Sequence, residues 1–81
     1  MKPRTSFARP DVARLKRHVA ARIAEIRRTQ GWTQEVLAER LGVSLRYMQS
    51  VEAGTQNLTL ETIAKVATAL RISAVQLFIQ S

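Results

Sequence analysis

The chain has 81 residues, 46% of them hydrophobic, which is enough for one small core and not for a second. It has no cysteine, no apolar run near the ~20 residues of a membrane span, and no apolar signal-peptide core behind its basic start, so a cytoplasmic domain without disulfides or thiolate metal sites is expected. The net charge of +7 lies wholly in residues 1–28, where nine basic residues face two acidic ones, and this points to a polyanionic partner.

Residues 1–9 hold Lys2, Pro3, Arg4 and Arg9 without apolar periodicity and read as a basic arm; residues 10–81 read as the folded domain. Pro10 suits a first helical position, and Asp11 complements the positive end of the helix dipole. Val12, Leu15, Val19, Ile23 and Ile26 recur every three or four residues with Arg and Lys opposite, so a first helix is predicted over 10–30, stopping at Gly31. A basic amphipathic helix would also suit an anionic membrane, but this one is needed in the core. Trp32 is expected to fold onto the core ahead of the Thr33 cap.

Thr33 starts a second helix with Val36, Leu37 and Leu41 as its apolar stripe, and Gly42 ends it in a left-handed turn. Ser44 caps a third helix, in which Met48 and Val51 point inward and Arg46, Gln49 and Ser50 outward. Ala38 is small enough to let the two helices cross closely. Residues 33–54 therefore form a helix-turn-helix whose second helix is shaped to lie on DNA. Thr55, Gln56 and Asn57 make a polar loop anchored by Leu58. Thr59 caps a fourth helix with Leu60, Ile63, Ala64, Ala67 and Leu70 as its buried stripe, and Ser73 caps a short fifth one holding Val75, Leu77 and Phe78. The predicted fold class is all-α, with five helices.

Catalysis finds little support. His18, the only histidine, falls on the charged face of the first helix among Lys16, Arg17 and Arg22, where a solvated ring is expected. There is no Gly-rich phosphate loop, no usefully spaced carboxylate pair and no metal-ligand cluster, so no enzyme activity, cofactor or metal is expected. Few aromatics are available to stack unpaired RNA bases.

From Ile23 to Phe78, about two-thirds of the chain, the segments IAEIRRTQGWTQEVLAERLGVS, YMQSVEAG, NLTLETIAKVATALRIS and QLF resemble the Xre family of phage repressor and Cro-like helix-turn-helix proteins. Ala38, Gly42, Met48, Val51 and the Glu52-Ala53-Gly54 ending carry the likeness. It implies a lambda-repressor-like domain acting as a transcription regulator, commonly a homodimer on a near-palindromic operator in double-stranded DNA. The small size, the QNLTL loop and the lack of an effector domain look similar to controller proteins of restriction–modification systems, and nearly as similar to single-domain antitoxins and small phage repressors. Two departures stand out. Val36 occupies the position where the family often has a capping-box Glu, with Glu35 one residue early. The N-terminal extension is also longer and more basic than the family needs.

Carried over residue by residue, the resemblance implies that the third helix enters the major groove, with Ser44, Leu45, Arg46, Tyr47, Gln49 and Ser50 at or near DNA. Arg46 suits O6 and N7 of guanine, or else a phosphate; Gln49 suits adenine and Leu45 a thymine methyl. Tyr47 suits packing or a phosphate hydrogen bond. Gln34, opening the second helix, is implied to clamp a phosphate at the helix N-terminus, and Thr55, Gln56 and Asn57 to reach the same strand. The family pairs an arginine and a glutamate at the positions of Arg27 and Glu52, fixing the recognition helix. Val75, Phe78 and Ile79 offer more apolar surface than a terminal helix needs and are the expected dimer contact. No small-molecule effector or membrane partner is implied. The alternative from another class is an interaction module or antitoxin that uses the same fold to bind a protein.

Overall fold

A computed structural model describes residues 9–79. They form α1 (Arg9–Thr29), α2 (Gln34–Leu41), α3 (Leu45–Glu52) and α4 (Leu60–Leu70), followed by a 3-10 turn over Ala74–Leu77; no strand occurs among the described residues. The arm expected over residues 1–9 lies outside them apart from Arg9, which opens α1.

Local sequence sets the helix boundaries. Thr33 Oγ1 accepts the Val36 N–H at 3.1 Å, Ser44 Oγ that of Tyr47 at 3.0 Å, and Thr59 Oγ1 that of Thr62 at 3.0 Å. Each supplies an acceptor for one of the N–H groups that a helix start leaves without a partner. Ser44→Ala is expected to cost ~1 kcal/mol, seen as a lower urea midpoint with an unchanged slope. At the other end of α2, Gly42 has φ +71, and its N–H and that of Val43 return to carbonyls of the last turn. Only glycine enters that left-handed region without a steric cost. Arg71 does the same work after α4 at φ +60.

The fifth predicted helix is not an α-helix. Gln76 N–H bonds the Ser73 carbonyl and Phe78 N–H that of Val75, both at 2.9 Å and both three residues apart, so the element is one tight turn. Its purpose is to drive Leu77 into the core. Ile23, Leu37, Met48, Leu70 and Leu77 are wholly buried there, joined by Val19, Ala38, Val51, Ile63, Val66 and Ala67. Ala38 is buried among them, a small side chain within the α2–α3 core.

Two apolar stripes differ from expectation. On α4 the buried face is Ile63, Val66, Ala67 and Leu70, whereas Leu60 is 77% exposed and Ala64 is exposed as well. The buried face is rotated by roughly half a residue's turn from the one that periodicity predicts, so Val66 takes the place of Leu60 and Ala64. On α1, Val19, Ala20, Ile23 and Ala24 are buried and Ile26 half-buried, while Val12 and Leu15 are about half exposed. The first two turns of α1 precede the buried stretch that begins at Val19, so the apolar pattern continues where less covers it.

Polar contacts tie the helices together. Gln30 Nε2 donates to the Leu70 carbonyl at 2.6 Å, satisfying one acceptor at the end of α4. Arg22 donates to Glu25 Oε1 at 2.9 Å and through Nε to the Gln76 carbonyl at 3.1 Å. His18 is not the solvated ring expected. It is half-buried, and its Nε2 is shielded without a hydrogen-bond partner, in a hollow shared with Asp11, Arg14, Leu15 and Phe78.

Candidate nucleic-acid interface

The α2–α3 pair presents one helix edge outward. Met48 and Val51 anchor α3 in the core, at 0% and 2% exposure. Because a helix turns 100° per residue, the side chains turned well away from those anchors face out: Arg46 and Gln49 are exposed, while Leu45, closer to the inner face, is half-buried. Tyr47 is half-buried and packs against the core, leaving it a minor share of the outer surface. Ser44, exposed before the first turn, is engaged as the cap.

Ser50, expected to point outward, is half-buried, and its hydroxyl is engaged within the protein. Its Oγ donates to the Tyr47 carbonyl at 2.6 Å and accepts from Gln56 Nε2 at 3.0 Å. Thr55 adds two further links, its N–H and Oγ1 both donating to the Ser50 carbonyl, at 3.2 and 3.1 Å. The loop after α3 is thus folded back onto the helix, and of its three polar residues Asn57 is exposed with no such tie. Sequence alone gave no sign of this, since it depends on the chain reversing at Gly54.

Behind α3 stands an ion pair. Arg27 Nε donates to Glu52 Oε2 at 2.7 Å and Nη2 to Oε1 at 3.0 Å, a fork that holds both carboxylate oxygens. A third arm, Nη1, donates to the Trp32 carbonyl at 2.8 Å. Gln34 Nε2 completes the set, donating to Glu52 Oε1 at 2.9 Å. With Arg27 8% exposed and the Glu52 side chain 6%, α1, the α1–α2 turn, α2 and α3 meet at one largely dry junction. Gln34 therefore does more than open α2: one N–H of its amide is committed to Glu52, while the second and the amide oxygen remain for a ligand. Trp32 packs partly on the core, and the Arg40 guanidinium lies 4.1 Å from its ring centre, a cation–π contact that sequence reasoning missed.

Val75, Phe78 and Ile79 are 63%, 39% and 45% exposed, whereas Leu77 between them is wholly buried. Of the three, Phe78 lines a hollow of about 240 Å³ alongside Val12, Leu15 and Leu58. No group of three or more His, Cys, Asp or Glu able to hold a metal occurs among the described residues. No helix among them is long and apolar enough to cross a membrane.

Comparison with known proteins places these features in a family. The model of the family described as Helix-turn-helix (HTH_3) matches residues 23–77. An uncharacterized HTH-type transcriptional regulator, y4dJ of Sinorhizobium fredii, is 38% identical over 63 residues, covering 78% of this chain and 82% of that protein. A hypothetical transcription factor of Neisseria meningitidis is 36% identical over 70 residues, covering 86% of this chain and 66% of the relative. The crystal structure of a Neisseria transcription factor, NHTF, superposes with a TM-score of 0.78 at 33% identity, over 96% of this chain and 90% of that one. The restriction–modification controller protein C.AhdI of Aeromonas hydrophila gives 0.74 at 38% identity, over 78% and 96%.

Proposed function

The chain belongs to the helix-turn-helix family of Xre and Cro-like regulators, and we propose that it is a sequence-specific DNA-binding transcription regulator, a repressor or autoregulator that reads a near-palindromic operator as a homodimer. The observation that carries this reading is α3 itself. It is pinned from behind by Met48, Val51 and the Arg27–Glu52 fork, yet offers Arg46 and Gln49 to the outside. A rigid helix with a polar outer edge is what major-groove docking requires.

In this reading α3 lies in the major groove with Leu45, Arg46 and Gln49 nearest the base edges. Gln34 holds a phosphate through its remaining N–H at the start of α2, with Asn57 and the tied-down Thr55–Gln56 loop against the same backbone. Ser44, Tyr47 and Ser50 support that edge more than they read bases, since their hydroxyls or rings are used in caps, packing and the loop contact. No metal or cofactor is called for, and the protein works where duplex DNA is found, in the cytoplasm.

One recognition helix reads only a few base pairs, so two copies are needed, with helices one DNA turn apart, ~34 Å. Val75, Phe78 and Ile79 supply exposed apolar surface for that pairing. Selection of bound fragments from randomised duplexes tests the whole reading: enrichment of a two-fold-symmetric site is expected, together with a dimer by sedimentation at micromolar concentration. A strict monomer that enriches no site overturns it, and would leave the protein-binding alternative.

A further inference from the structure

The charge concentrated near the N-terminus has a definite position in the fold. Gly54, two residues past the end of α3, turns the chain at φ +77 and sits directly on α1: a Cβ there would lie 3.5 Å from Arg17 Cα, 3.6 Å from Arg17 Cγ and 3.7 Å from Ala20 Cβ. Lys16, one residue earlier, lines a common hollow with Gly54, Gln56 and Asn57. The turn of α1 around Lys16 and Arg17 therefore lies beside the loop that follows α3.

That turn is also where positive charge is left over. Glu25 is paired with Arg22 and Glu52 with Arg27, whereas Lys16 and Arg17 have no ion-pair partner among the described residues. Arg17 is exposed, and the start of its aliphatic stem lies against Gly54. Both residues precede the stretch matched by the family model, which begins at residue 23.

We propose that Lys16 and Arg17 form a second phosphate-contacting strip, continuing the Gly54–Asn57 loop along the DNA backbone outside the groove that α3 occupies. The strip rests on the DNA-binding reading above and extends its footprint to α1. Its occupant is a polyanionic backbone because the two cations are neighbours, without an ion-pair partner among the described residues, and beside a loop that carries the exposed Asn57 amide. Such contacts release counterions, and each should add about 0.9 to the steepness of log K against log salt. They hold phosphates and carry no sequence information.

The test uses the whole chain and two fluorescent duplexes, one of random sequence and one selected from a randomised pool. Arg17→Met and Lys16→Met keep the stems and remove the charges. Each is expected to melt like the wild type, to flatten the salt slope by about 0.9, and to weaken both duplexes by the same factor. Arg17→Lys is expected to restore the slope. Wild-type binding with both Met variants keeping the wild-type slope overturns the strip and leaves the DNA reading standing. A loss confined to the selected duplex also overturns it, since the residues would then be positioning α3. Failure of the wild type to bind either duplex at low salt overturns the parent reading and the strip with it.

Discussion

Arg27→Ala is expected to lower the free energy of unfolding by about 3–5 kcal/mol, a large part of the roughly 4–12 kcal/mol that a domain of this size holds. The loss comes less from the ion pair's own worth than from what remains after its removal. Arg27 supplies three donors, two to Glu52 and one to the Trp32 carbonyl. Without them the Glu52 carboxylate, 6% exposed, keeps a single bond from Gln34. A stranded buried charge is far more costly than a pair exchanged whole for apolar residues. The double variant Arg27→Met with Glu52→Leu is therefore expected to lose much less than Arg27→Ala alone. Urea unfolding reads both, and an Arg27→Ala midpoint equal to that of the wild type would show that α3 is held by Met48 and Val51 without the fork. DNA affinity should fall with stability in the Ala variant, because the end of α3 is then released.

What the sequence made legible follows from the range of each interaction. Thr33, Ser44 and Thr59 bond backbone groups three residues away, and Gly31, Gly42 and Gly54 adopt positive φ at turns between helices. These are local arrangements, set by residue type and neighbours. The faces of α4 and α1 are less local. Leu60 and Val66 are equally apolar, and which of them is buried depends on where α2 and the 3-10 turn sit, not on spacing along α4. Likewise Val12 and Leu15 continue the period of Val19 and Ile23, but periodicity cannot tell a covered turn from one that projects past the core.

The candidate interface divides in the same way. Inward Met48 and Val51 and outward Arg46 and Gln49 follow from helical geometry once α3 is placed. The partial covering of Ser50 is not legible in this way, because its partner, Gln56, arrives only after the chain reverses beyond α3. The Gln34–Glu52 bond spans 18 residues and joins two helices, so neither propensity nor spacing reveals it. In the proposed reading it also bears on the site: a Gln34 amide already oriented by Glu52 would lose less side-chain entropy on meeting a phosphate. The His18 ring was misjudged for a related reason, since Phe78, which lines the same hollow, lies 60 residues away.

Arg46→Ala is expected to weaken the selected duplex by about 1–3 kcal/mol, roughly five- to 150-fold, while a random duplex loses much less. Arg46 is the second residue of α3, exposed, and makes no ion pair among the described residues, so its guanidinium is free to meet a guanine edge with both donors. Because nothing in the fold depends on it, the melting temperature should stay within the small range of surface substitutions. Arg46→Lys separates the two roles open to this side chain. An ammonium neutralises a phosphate as well as a guanidinium does, but it lacks the planar fork that spans O6 and N7. A base reader therefore stays impaired in the Lys variant and loses its preference for one base in the selected site. A phosphate contact recovers in that variant, and its Ala variant weakens both duplexes equally with a flatter salt slope. Equal loss on the two duplexes would transfer base reading to Gln49 and Leu45, the remaining side chains on the outer edge of α3.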